Sequence, residues 1–124
     1  MTNLVNSDVE EIKKKRITKR VLTAADGVSI SIDGDSYDRV KQINTQGAGT
    51  LTINNPTGTP KDFDSLIITI SATAAQTLSF GNKYSATTDI ALPTTCGAGK
   101  KIKCGFEYSA TDDKYYIIAF VNIM

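Results

Sequence analysis

Tyr115-Tyr116-Ile117-Ile118-Ala119-Phe120-Val121-Asn122-Ile123-Met124 is a strand sequence with no polar side. Successive side chains of a strand point to opposite faces, so both faces of this one carry apolar groups. The preceding stretch behaves differently. There Ile102, Cys104, Phe106 and Tyr108 share one face, and Lys101, Lys103, Gly105 and Glu107 share the other, the alternation of a half-buried strand. One face of the last strand therefore calls for a cover beyond the domain's own core, and another copy of the chain, or another protein, is the economical one. Tyr116, Ile118 and Phe120, with Ile67 from an earlier strand, are the expected subunit contacts.

Upstream, the same period of two recurs. Val28, Ile30 and Ile32 alternate with Ser29, Ser31 and Asp33; a Gly34-Asp35-Ser36 turn leads to Tyr37, Val40 and Ile43. Leu51 and Ile53 alternate with Thr50, Thr52 and Asn54, and Pro56-Thr57-Gly58-Thr59-Pro60 supplies turn chemistry. Leu66, Ile68 and Ile70 follow, then Leu78 and Phe80, then Ile90 and Leu92. Seven to nine short strands rich in Thr and Ile predict an all-β fold, an antiparallel β-sandwich or jelly roll over residues 21–124.

Residues 1–20 read as a separate arm. Ser7 and Glu10 have the spacing of a capping box, Asp8 and Glu11 favour the first turn, and Lys13 to Arg16 suit the last. A short helix from about Asp8 to Arg16 is expected, with Val5, Val9 and Ile12 on one narrow stripe. So slight a stripe needs a surface to dock on. The arm holds six basic and three acidic residues, although the whole chain carries a net charge of only +1. Lys13, Arg16, Lys19 and Arg20 fit a protein-docking face; with no interleaved aromatics and two glutamates one turn away, nucleic acid is not an expected partner.

Composition narrows the chemistry. The 124 residues include no histidine, which removes the usual general base, the usual partner of a Ser or Cys nucleophile and the commonest transition-metal ligand. Cys96 and Cys104 match neither a CxxC pair nor a zinc knuckle; Cys104, on an apolar face, reads as a buried free thiol, with a Cys96–Cys104 disulfide as the alternative. Gly97-Ala98-Gly99-Lys100 lacks the upstream glycine and the following Ser or Thr of a phosphate loop and reads as a turn. Asp33, Asp35 and Asp38, Asp62 and Asp64, and Asp112 and Asp113 lack the spacing of a calcium loop and read as turn formers. No catalytic residue, cofactor or metal is expected. Nor is a membrane partner, since no apolar run approaches the ~18 residues of a span and the first residues do not read as a secretory signal.

The segments Gly47 to Pro60, Leu66 to Ile70, Thr77-Leu78-Ser79-Phe80-Gly81-Asn82-Lys83-Tyr84, Ala91 to Thr95, and Gly105-Phe106 through Lys114-Tyr115 and Ala119 come in an order that resembles a β-domain of tailed-bacteriophage virion proteins. Members often carry Trp where this chain has Phe80 and Tyr115. The resemblance implies a non-enzymatic structural protein, commonly a homotrimer, of the head-fibre, capsid-decorating or tail-fibre type. On that reading the arm attaches to a major capsid or other virion protein, and the particle is assembled in the host cytoplasm. The alternative is a tail-fibre or baseplate module recognising host surface glycans. Tyr84, Tyr108, Tyr115, Tyr116 and Phe120 are the aromatic residues considered for stacking on a sugar.

Overall fold

From Val21 the chain crosses from one sheet to another at nearly every strand. A computed structural model describes residues 20–124. Its strands are β1 (Val21–Thr23), β2 (Ser29–Ile30), β3 (Arg39–Asn44), β4 (Gly49–Ile53), β5 (Ser65–Ala72), β6 (Gln76–Phe80), β7 (Tyr84–Ser85), β8 (Thr95–Cys96), β9 (Lys100–Ser109) and β10 (Lys114–Asn122). They form a six-stranded sheet in the order β1-β3-β5-β9-β10-β7 and a four-stranded sheet in the order β2-β4-β6-β8. Among the described residues there is no helix. The expected helix near 8–16 lies outside them.

The all-β expectation holds, but the antiparallel order does not extend through the fold. β1, β3 and β5 pair in parallel, as do β2, β4 and β6. Three successive coils, β1/β2, β3/β4 and β5/β6, therefore stack in a solenoid-like manner. Antiparallel pairing is confined to β5–β9, β9–β10 and β6–β8. Period-two patterning reports that one face of a strand is buried and is silent about the direction of its neighbour. The Gly- and Pro-rich turns carry the chain to the opposite sheet, so that, apart from β9 and β10, strands consecutive in sequence are not neighbours.

Register places like on like from coil to coil. Leu22 pairs with Val40, Val40 with Ile68 and Ile68 with Cys104 across the larger sheet. Across the smaller one Ile30 pairs with Ile53 and Ile53 with Phe80. Between the sheets lies a core in which Ile30, Leu51, Ile53, Ile68, Ile70, Cys104, Phe106 and Ile117 are completely buried. Phe80, Tyr84 and Phe106 fill the end of that core near β7, with Tyr84 steeply inclined to its neighbours, at 68° and 62°, at centroid distances of 5.3 and 5.1 Å; such edge contacts add to the burial itself.

Three amides occupy inward positions that the apolar pattern passes over. Gln42, Asn44 and Gln76 are buried at the corners where each coil leaves the larger sheet. Gln42 donates to the Ala25 carbonyl at 2.9 Å, Asn44 to the Gly27 carbonyl at 3.0 Å and Gln76 to the Gly47 carbonyl at 2.9 Å. Asn44 also donates to Gln42 Oε1 at 3.2 Å. Each amide thus ties the corner of its own or the preceding coil to the strand stack. Replacing Gln42 with Met keeps the volume but leaves the Ala25 carbonyl without its side-chain donor and removes one of the two acceptors of the Asn44 amide. A loss of about 1–3 kcal/mol is expected, measured as a lower urea midpoint at unchanged slope.

The two-sided final strand has a local cause. β10 pairs with β9 as Tyr115↔Tyr108 and Ile117↔Phe106, then, after an irregularity at Ile118, as Ala119↔Gly105 and Phe120↔Cys104. One extra residue in a strand reverses which side chains face inward beyond it. Tyr115 and Ile117 enter the core before the bulge, and Phe120 packs against it afterwards. Phe120, expected at a subunit contact, is therefore half-buried in its own domain. Ile118 remains outside, 54% exposed.

Candidate functional site

The outer face of the six-stranded sheet carries what is left of the second apolar side. Ile118, Val121 and Ile123 on and after β10 are exposed, as are Val21 on β1 and Ile43 on β3. Ile67 is half-buried on the same face, in a groove of about 200 Å³ bounded by Val21, Arg39, Lys41, Thr69 and Lys103. Gly105, opposite both Ile67 and Ala119, contributes no side chain, so Ile67 on one flank faces Ile118 and Ala119 on the other across bare backbone. Tyr116 lies half-buried beside them and donates its hydroxyl to Asp112 Oδ2 at 2.9 Å. Of the four expected contacts, Ile67, Tyr116 and Ile118 share this outer face and Phe120 does not.

Of the residues assigned to attachment, Val5, Val9, Ile12, Lys13, Arg16 and Lys19 lie outside the described residues. Arg20 is engaged by its own domain. Its guanidinium donates to the Ser36 carbonyl at 3.0 Å and the Gly34 carbonyl at 3.1 Å and lies 3.9 Å from Asp38.

The aspartates mostly organise turns. Asp33 accepts from the Asp35 amide at 3.0 Å and from the Ser36 hydroxyl at 2.8 Å, and Asp35 accepts from the Thr59 amide at 3.0 Å, joining the turns of adjacent coils. Gly58 closes that joint with φ +99°, and a Cβ there would fall 2.5 Å from the Asp35 carboxyl carbon. Asp113 accepts from Lys83 and, at 2.5 Å, from the Tyr108 hydroxyl. Those two donors hold its carboxyl below the ordinary carboxylate range, and the same bond raises the Tyr108 phenol. Among the described residues no group of three or more His, Cys, Asp or Glu is placed to hold a metal ion. Cys96 and Cys104 are both free and buried.

A residue the sequence reading passed over stands out instead. Phe63 is 77% exposed and has φ +70°. It is the third residue of a turn closed from the Asp64 amide to the Lys61 carbonyl at 3.0 Å, a position that usually takes Gly. A bulky residue there costs on the order of 1–3 kcal/mol and persists only where its surroundings over-determine it. They do so here: the Phe63 amide donates to the Tyr108 carbonyl at 2.9 Å, the Tyr108 amide to the Asp64 carbonyl at 2.8 Å, and the Ala110 amide to Asp62 Oδ1 at 2.6 Å. By contrast, Tyr84, Tyr108 and Tyr115 are buried in the core. The signal available in the sequence was an aromatic between two aspartates, Asp62-Phe63-Asp64, inside an otherwise small and polar loop.

No protein-family model matches the chain, and no curated protein matches it.

Proposed function

We propose that the protein is a non-enzymatic structural component of a bacteriophage particle, a homotrimeric capsid-decorating or head-fibre protein attached to a major capsid or other virion protein through residues 1–20. The observation that carries the assembly part is the exposed aliphatic stripe of Ile118, Val121 and Val21 beside Ile67 on an outer sheet face. Burying each such side chain stabilises by roughly 1.5–3 kcal/mol. Rotational symmetry repeats the gain in every subunit. Arg39 lies in register between Val21 and Ile67, and Lys41 and Lys103 line the same groove, where their stems can cover apolar surface with the heads in water.

Joint replacement of Ile118 and Val121 by Asp tests the reading. Both side chains point out of the domain, so the variant is expected to stay folded by circular dichroism and to run as a monomer in light scattering, with the parent a trimer. A parent that is itself monomeric, or a double variant that remains trimeric, contradicts the proposal.

Exposed Phe63 favours a second reading, a tail-fibre or baseplate module recognising host surface glycans. An aromatic held in solvent on a rigid loop suits ligand recognition better than passive decoration.

A further inference from the structure

We infer that Phe63 is the stacking platform of a monosaccharide-sized site at the corner where the chain enters β1, β3 and β5; the inference rests on the receptor-binding reading. Beside Phe63 lies a cavity of about 200 Å³ lined by Arg20, Tyr37, Asp38, Asp64 and Ser65 together with buried Tyr115. That volume falls below the ~300–1,000 Å³ of sites for drug-sized ligands, and matches one ring rather than a nucleotide or a peptide.

The lining selects the chemistry of the occupant. Asp38 and Asp64 disfavour an anion, and Arg20 disfavours a cation. The Arg20 guanidinium, moreover, is already held by the Gly34 and Ser36 carbonyls. A neutral molecule with many hydroxyls satisfies what remains: the carboxylates accept and the Ser65 hydroxyl accepts or donates at its rim, and an apolar ring face covers Phe63. A hexopyranose has both parts. Stacking on an aromatic face also explains why the position holds Phe in a conformation for which Gly is the unstrained choice.

The backbone that holds the ring is rigid on both sides. Lys61 donates its amide to Asp64 Oδ2 at 2.9 Å across the turn, and the bonds to Tyr108 and Ala110 fasten the turn to β9 and the segment after it. Little ordering is left for a ligand to impose, which favours binding by a small molecule.

The test uses the full-length protein on an array of bacterial surface polysaccharides together with the methyl glycosides of glucose, galactose, mannose, rhamnose and N-acetylglucosamine, comparing the parent with Phe63→Gly and Phe63→Trp. The expected result is a signal for at least one sugar that Phe63→Trp retains and Phe63→Gly reduces at least tenfold, although Phe63→Gly melts at or above the parent temperature because its strain is relieved. A signal undiminished in Phe63→Gly overturns the site and leaves the receptor reading standing. No signal on any glycan overturns both. Loss of the oligomer in Phe63→Gly identifies the ring as a contact between copies and likewise overturns the sugar site.

Discussion

Phe120→Asp unfolds the domain or lowers its stability by at least about 3 kcal/mol, whereas Ile118→Asp, two residues away on the same strand, changes the stability of the isolated subunit by less than about 0.5 kcal/mol. In an uninterrupted strand residues 118 and 120 lie on one face and respond alike. The bulge separates them: Phe120 pairs with completely buried Cys104 and packs on the core, while Ile118 is 54% exposed. A carboxylate at 120 loses the packing of an aromatic ring and must be desolvated beside an apolar neighbour. At 118 it meets water. Urea unfolding under conditions that keep both variants monomeric measures the difference. Equal losses at the two positions show that the strand runs straight and that its outer face was misassigned.

The same bulge marks a boundary of what the sequence makes legible. Inward positions of regular strands are plain in it: Leu66, Ile68 and Ile70 on β5 and Ile102, Cys104, Phe106 and Tyr108 on β9 are all buried as alternation requires. Strand direction is not, because a half-buried strand has the same pattern beside a parallel or an antiparallel neighbour, and only the connections distinguish them. The corners hide their own evidence. Gln42 and Asn44 look like solvent-facing polar residues, and Ile43 between them looks like core, yet the amides are buried against backbone carbonyls and Ile43 is 60% exposed. An amide reads as exposed until the carbonyls it satisfies are known. Val28 is misread in a similar way, being 66% exposed just before β2 begins.

The candidate site was legible only in part. The apolar surplus on β10 is divided between an exposed Ile118 and the core, a division that sequence spacing alone does not apportion. Phe63 was obscured by its loop. A single aromatic among turn residues carries no periodicity, and its significance lies in a φ of +70° and an exposed ring, neither of which a residue type reveals.

Between about pH 9 and pH 12 the domain is expected to lose stability steeply, whereas it should change little from neutrality to the lower of those limits. Burial, with a smaller contribution from nearby Cys96, pushes the Cys104 thiol from an ordinary 9.0 up to about 12. Burial chiefly, with Asp64 next, pushes the Tyr115 phenol from 10.0 up to about 12, and burial also raises Cys96 and Tyr84. Each group is neutral when protonated. In the unfolded chain the thiols lose their protons near 9.0 and the phenols near 10.0, while the folded protein keeps those of Cys104 and Tyr115 until about 12 and holds those of Cys96 and Tyr84 above their ordinary values. Over that window the unfolded state therefore binds fewer protons, and stability falls as pH rises. Each tenfold difference in ionisation is worth about 1.4 kcal/mol, so Cys104 alone accounts for a few kcal/mol, comparable with a substantial part of a small domain's 5–15 kcal/mol. Urea titrations at intervals across the alkaline range measure it directly. Cys104→Ala, with the thiol gone, should be less stable at neutral pH for want of packing yet show a shallower alkaline slope. A parent whose urea midpoint stays constant to pH 12 would show that these groups are open to water, and with them the interior enclosed by β5, β9 and β10.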